Sequence, residues 1–242
     1  YNRKGWWRWV DAWRTKQDER IARRFDRFVV LTEEDKANWG DMDNICVIPN
    51  ANTFSTKQTS LLNTRKVISI GRYSYQKGFD RLIKAWKTVN RVCPKWTLDI
   101  IGEGEEKSKL QSLIYHENLD GSVRLMPATS DIINVYLGAS VVAMSSHYEG
   151  LPMVLLEAQS LGLPIVAFAC QCGPKDIISD GETGFLVPEG DVEGLAEKLI
   201  TVIKDNVLRL SMGKQAKEAS RRYEEEAVMQ LWMDIFQTVM KA

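Results

Sequence analysis

A chain of 242 residues with 44% apolar and 26% charged residues has the make-up of a globular protein that buries a core, as one large domain or one domain with an appendage. Its 32 basic and 32 acidic side chains cancel, so no net field recruits nucleic acid or an anionic surface. No apolar run is long enough to span a bilayer, no signal-peptide pattern is present, and two histidines with four cysteines out of ligand spacing argue against a zinc site. We expect a cytoplasmic protein whose thiols (Cys46, Cys93, Cys170, Cys172) are reduced. The start at Tyr1, without Met, reads as a piece of a longer protein.

Residues 1–60 open with a Trp- and Arg-rich helix over roughly Trp6–Phe25. Trp6, Trp9, Val10, Trp13 and Ile21 share one face, with Arg8, Arg14, Arg20, Arg23 and Arg24 elsewhere. Such a helix packs on a neighbouring domain or lies in a membrane interface; the first reading is the simpler, the second would give peripheral membrane association. A short strand follows at Arg27–Thr32. Thr32 then caps a helix whose first turn is acidic. A second strand runs over Ile45–Asn50, and the polar stretch Asn52–Asn63 reads as a linker.

From Arg65 onward strands and helices alternate. KVISIG leads to a helix from Phe79, LDIIG to a helix from Lys107, and VRLMP to a short helix near Ile132. SVVAMSS (Ser140–Ser146) leads to a helix opened by Gly-Leu-Pro, with Pro152 in its first turn. PIVAFA (Pro164–Ala169) leads to a helical turn at Asp176–Ser179, and GFLVP precedes three closing helices, the last around Tyr223–Met240. This alternation predicts an α/β fold, a Rossmann-like doubly wound parallel sheet with helices on both faces. Ligands of such sheets bind beyond the carboxyl ends of the strands. The loops that matter are therefore Gly71–Gly78, Gly102–Glu106, His147–Pro152 and Cys170–Lys175, all on one rim.

On that rim Arg72 and Lys77, flanked by Gly71 and Gly78, suit an oxyanion, as a planar fork and a point charge. The N–H groups that open the helix after Pro152 offer a second anion contact. Glu149 and Glu157 stand before and inside that helix; spacing alone also allows them to be a turn acid and a solvated helix residue. Gly102-Glu103-Gly104 is only part of a dinucleotide fingerprint, and Glu105-Glu106 oppose a pyrophosphate there. No GxxxxGK[ST] loop or nucleophile elbow occurs, and His147 as a lone base makes a poor triad.

The spacing Glu149-x7-Glu157 within SSHYEGLPMVLLEAQSLGLPIVAF resembles the signature of retaining glycosyltransferases of family 4 (group 1), which have the GT-B fold. GRYSYQKGFDRLIKAW resembles their Gly-Arg-x4-Lys-Gly-x-Asp element, IIGEGEE their Gly-acid-Gly turn, and CGPKDIISDGETGFLVP their nucleotide-side loop. Together these cover about residues 65–190. The resemblance implies a tail of the N-terminal acceptor domain with a linker (1–60), a nucleotide-sugar-binding Rossmann-like domain (61–220), and a C-terminal helix (221–242) returning toward the first domain. It implies a nucleotide-diphosphate sugar donor, a UDP-sugar first, and a glycan or lipid-linked acceptor in polysaccharide or lipopolysaccharide synthesis. Arg72 and Lys77 would bind the diphosphate, Glu149 the donor sugar and Glu157 the ribose. Gly71, Gly150, Leu151 and Pro152 would line the sugar and phosphate side. With the leaving group neutralised by side chains, no metal or other cofactor is expected. The family's Phe-Gly pair is shortened here to Gly150-Leu151-Pro152, and Asp176 stands where Glu is usual. By itself this piece would bind nucleotide and transfer poorly. A nucleotide-sugar epimerase of the same architecture, or a non-catalytic sugar-nucleotide-binding module, is the alternative.

Overall fold

The computed structural model describes residues 17–54 and 56–241. Most of the expected Trp/Arg helix, with Trp6, Trp9 and Trp13, lies outside the described residues. Helix α1 is described over residues 17–22, where Ala22 is buried and Ile21 is exposed. Strands β1 (Phe28–Val30) and β2 (Ile45–Val47) pair in parallel, Phe28 opposite Ile45. Between them runs α2 (Glu33–Asn38), capped as expected by Thr32, whose Oγ1 accepts the Asp35 N–H at 3.0 Å. Ala22, Val30, Met42 and Ile45 form a small core of their own.

The main sheet has six parallel strands: β3 (Lys66–Ile70), β4 (Thr97–Ile101), β5 (Val123–Met126), β6 (Val141–Met144), β7 (Ile165–Phe168) and β8 (Gly184–Val187). Their spatial order is β5-β4-β3-β6-β7-β8. The chain lays β4 and β5 outward from β3, then returns to β3's other side and continues with β6, β7 and β8. β3 and β6 are paired, Val67 opposite Val141, but their outgoing chains diverge, which opens a crevice above their carboxyl ends. β6 and β7 are buried at every residue, as continuous apolar runs in a doubly covered sheet require.

Helices α3 (Phe79–Val92), α4 (Lys107–His116) and α8 (Val192–Lys204) cover one face. Phe79, Leu82, Ile83, Trp86 and Val89 of α3 are buried at the spacing of a single helical stripe. Helices α5 (Ile132–Leu137), α6 (Met153–Ser160) and α7 (Pro174–Ile177) cover the other face, with Tyr136, Leu155, Leu156 and Ile177 in its core. Helix α9 (Asn206–Ala219) lies against α6 and α8. Helix α10 (Glu225–Met240) buries Val228 and leaves Met229, Leu231, Met233, Phe236 and Met240 exposed.

Two local expectations are corrected. The turn placed at Asp176–Ser179 begins earlier, at Pro174, because Gly173 (φ 94°) turns the chain and Pro174 presets the first helical residue. Pro152 is the residue before α6 rather than part of its first turn, with ψ 99°. Its ring is held there by the loop after β7: a Cβ on Gly173 would stand 2.3 Å from Pro152 Cδ.

The rim is stapled by close approaches. Tyr73, fully buried, places its single hydroxyl proton between the carbonyls of Met126 (2.6 Å), at the end of β5, and Ile100 (2.9 Å), near the end of β4. Gly102 and Gly104 let the next loop lie on this one, since Cβ atoms there would come 1.9 Å from Gly71 O and 2.4 Å from Tyr73 O. Loop packing accounts for the two glycines of that Gly-acid-Gly turn. Gly78, in the left-handed region at φ 57°, passes under the loop after β6, where a Cβ would meet Ser145 O at 2.4 Å.

Gly78→Ala is therefore expected to cost about 1–3 kcal/mol, read as a lower urea midpoint with an unchanged slope. Burial, with the Glu103 charge beside it, pushes the Tyr73 phenol from 10.0 up to about 12. A raised acid stabilises the fold fully below its unfolded value and loses that contribution as pH climbs from 10.0 to about 12. Tyr73→Phe should remove this alkaline loss, measured by urea melts across that range.

Candidate active site

The crevice between β3 and β6 is bridged by one ion pair. The loop after β3 carries Lys77 at the end of a 3-10 turn, Tyr75–Lys77, and the loop after β6 carries Glu149. Lys77 Nζ lies 2.7 Å from Glu149 Oε1, with the side chains 19% and 6% exposed. Ser146 Oγ donates to the same oxygen at 2.5 Å. Glu149 Oε2 accepts from no protein donor among the described residues.

Backbone bonds fix this arrangement. The His147 N–H donates to Gln76 O at 2.8 Å, Gln76 Nε2 to Tyr148 O at 3.1 Å, and Ser145 Oγ to Lys77 O at 3.0 Å. The Glu149 N–H donates to Gln171 O at 3.0 Å, which ties in the loop after β7. Arg81 supports the floor from below: Nη2 donates to Ser145 O at 2.6 Å, Nη1 pairs with Glu189, and the guanidinium lies 4.7 Å from the Phe168 ring centre. Arg81, Ser146 and Gln76 carry no motif. Only the stacking of the loops, invisible in one dimension, reveals their part.

Immediately beyond Glu149 the chain presents donors. Among the described residues the N–H groups of Gly150, Leu151, Met153 and Val154 have no acceptor, as expected where a helix begins. They lie at the start of α6, whose dipole is positive at that end. Gly150 has open space around it, and Leu151 and Pro152 are buried. Glu149, Lys77 and the Gly150–Pro152 turn thus form one constellation.

Arg72 and Glu157 stand apart from it. Arg72 turns toward the β4 side, 3.1 Å from Glu105, with both side chains largely exposed (74% and 59%); such a surface pair is weak and exchanges readily. Glu157, the fifth residue of α6, is half-buried. Its Oε2 accepts the Tyr136 hydroxyl at 2.7 Å and its Oε1 the Thr53 hydroxyl at 3.4 Å. It is neither a free surface acid nor in contact with Glu149's partners. Gly71 serves the close crossing by Gly102.

His147 is not poised as a base. It stacks on Tyr75 with centroids 4.2 Å apart, and its Nδ1 lies 3.5 Å from Glu189. All four cysteines are free; burial pushes the Cys170 thiol up to about 12, far from a nucleophile's range. No group of His, Cys, Asp or Glu among the described residues could hold a metal ion, and no described helix is long and apolar enough to cross a membrane. The β1–β2 unit reaches the same rim. Asp176 Oδ1 accepts the Glu33 N–H at 2.8 Å, while Glu34 accepts from the Cys172 N–H (2.9 Å) and Lys175 Nζ (3.0 Å).

Lys77→Met would leave Glu149 buried with one hydroxyl donor. The expected cost is about 2–3 kcal/mol, less than for a fully buried pair because Lys77 keeps some solvent contact. Lys77→Met with Glu149→Gln should recover most of it. Urea denaturation of the three variants closes the cycle, and additive effects would show that the pair does not hold the rim together.

Residues 51–219 match the family described as Glycosyl transferases group 1. Among curated relatives, an uncharacterized glycosyltransferase of Haemophilus influenzae is 35% identical over 214 residues, 87% of this chain and 61% of its own length. The amylovoran biosynthesis glycosyltransferase AmsD of Erwinia amylovora is 35% identical over 220 residues, 87% of this chain and 62% of its own. The chain thus spans about three fifths of these relatives. Among solved structures, a point mutant of S. aureus TarM in complex with Fondaparinux, alpha-GlcNAc-glycerol and UDP superposes with a TM-score of 0.82 at 28% identity, covering 91% of this chain and 46% of that one. Anabaena HepE in complex with UDP superposes at 0.83 with 23% identity, over 94% and 67%. The six-stranded parallel sheet is the one found in these GT-B structures. Motifs, architecture and relatives agree: the chain belongs to the group 1 glycosyl transferases.

Proposed function

We propose that this chain is the donor-binding half of a retaining glycosyltransferase that moves a sugar from a nucleoside-diphosphate sugar, a UDP-sugar first, to a glycan or lipid-linked acceptor. The observation that carries the reading is the Lys77–Glu149 pair at the β3/β6 crevice, set beside the free N–H groups that open α6. A cation, amide donors and an acid with one unengaged oxygen are the groups that a sugar diphosphate requires. The UDP in the TarM complex supports the same ligand class, and the name of the AmsD relative supports sugar transfer in polysaccharide synthesis.

In this reading Lys77 and the α6 N–H groups meet the diphosphate, and Arg72 leaves its weak pair with Glu105 to join them. Glu149 Oε2 accepts a hydroxyl of the donor sugar while Oε1 keeps Lys77 in place. The bond between the anomeric carbon and the diphosphate oxygen breaks, its electron pair passing to the diphosphate, whose growing charge these donors stabilise. The acceptor oxygen bonds to that carbon on the same face, and its proton leaves with the diphosphate. Glu157 holds the ribose. With this cationic set no metal is required. Residues 1–60 supply the end of the acceptor domain and its linker, and residues 221–242 the helix that returns to it.

Calorimetric titration of the intact protein with UDP, GDP and ADP tests donor binding, with UDP expected to bind tightest; failure of all three overturns the reading. Arg72→Ala should lower kcat by roughly 10²–10³, the usual effect of one transition-state donor, measured with the matching nucleotide sugar. Unchanged turnover would remove Arg72 from the site. An inverted anomeric product, seen by NMR, would overturn retention.

A further inference from the structure

The Glu157 carboxylate has two unequal partners. On one side stands Tyr136 of α5, a fully buried side chain in the core of that face. Phe54 packs edge-on against its ring, with centroids 5.8 Å apart at 70°, so the phenol has one orientation. Its hydroxyl lies 2.7 Å from Glu157 Oε2 and 3.2 Å from Val154 O. The shorter, charge-assisted contact is the stronger. Burial and the adjacent Glu157 charge hold the phenol well above its ordinary value, so it stays a donor at any working pH. On the other side Thr53, in the segment between β2 and β3, reaches Oε1 at 3.4 Å, which is long for a hydroxyl donor. One oxygen is fixed by a rigid buried donor, and the other is held by a weak, exchangeable one.

We propose that Tyr136 is a positioning residue for the donor nucleotide: its buried hydroxyl locks one oxygen of Glu157 so that the other is presented to a ribose hydroxyl, which takes the place of Thr53. This rests on the reading of Glu157 as the ribose acid. A free glutamate would have to surrender side-chain freedom when it gripped the ribose; Tyr136 has already removed that freedom, so more of the hydrogen bond appears as affinity. Displacing Thr53 gives up only this long contact, since the segment around it stays held by the Asn52 N–H to Tyr223 O (2.7 Å) and by Phe54 on the Tyr136 ring.

The test uses the intact protein, whichever of UDP, GDP and ADP binds tightest, and the 2′-deoxy and 3′-deoxy analogues of that nucleotide. Removing the gripped hydroxyl should weaken binding to the native protein by roughly 10- to 100-fold, as for a hydrogen bond to a charged group. In Tyr136→Phe that penalty should shrink to about threefold or less, while affinity for the analogue is unchanged. Native discrimination in Tyr136→Phe, or an equal loss for all ligands, overturns the proposal. Native discrimination in Glu157→Gln instead overturns the ribose assignment, and failure of the native protein to bind any of the three overturns the donor reading itself. One measurement needs no variant: NMR of the native protein should show a slowly exchanging Tyr136 hydroxyl proton that persists with nucleotide bound. Its loss on binding overturns the proposal.

Discussion

The contact between Lys77 and Glu149 depends on strand order more than on either side chain. β3 and β6 become neighbours only because the chain reverses direction across the sheet after β5. The loops that leave them therefore meet at this switch point, joined by the His147 N–H to Gln76 O and by Ser145 Oγ to Lys77 O. An ion pair there, largely withdrawn from water and anchored by Ser146, joins two halves of the sheet's upper edge. Its cost in desolvation is large, and the return is a fixed pair of charges where ligands of such sheets settle.

The surrounding loops serve that pair through backbone rather than side chains. Gly78 must adopt a positive φ beneath Ser145, and Gly102 and Gly104 must lie flat against Gly71 and Tyr73. Tyr73 closes the outer side by placing its one hydroxyl between two strands. These positions pack a crevice floor in which polypeptide crosses polypeptide at less than side-chain distance. Arg81 then spans the underside, from Ser145 to Glu189 across the Phe168 ring.

Fold class, strand sequence and rim were legible because buried parallel strands read as apolar runs and their helices as periodic stripes. Lys77, Glu149 and the Gly150–Pro152 turn were legible as a set because the loops carrying them follow strands directly. The partners of these residues were not. That Lys77 turns to Glu149 while Arg72 turns to Glu105 depends on loop stacking across more than 30 positions of sequence. Tyr136 sits in an apolar six-residue helix where a tyrosine reads as core, and only its hydroxyl, 21 residues from Glu157, shows otherwise. The onset of α7 at Pro174 was missed because the turn set by Gly173 answers to Pro152 on another loop.

The mutual wedge of Pro152 and Gly173 has a mechanical consequence. The loop that holds Gly173 is also gripped by Glu33 and Glu34 of the β1–β2 unit, through Asp176, Cys172 and Lys175. A displacement of that unit pulls on Asp176 and Cys172, and through the glycine it bears on the proline ring at the mouth of α6. Any shift of the β1–β2 unit would thus be felt, through contacts alone, where the chain enters α6.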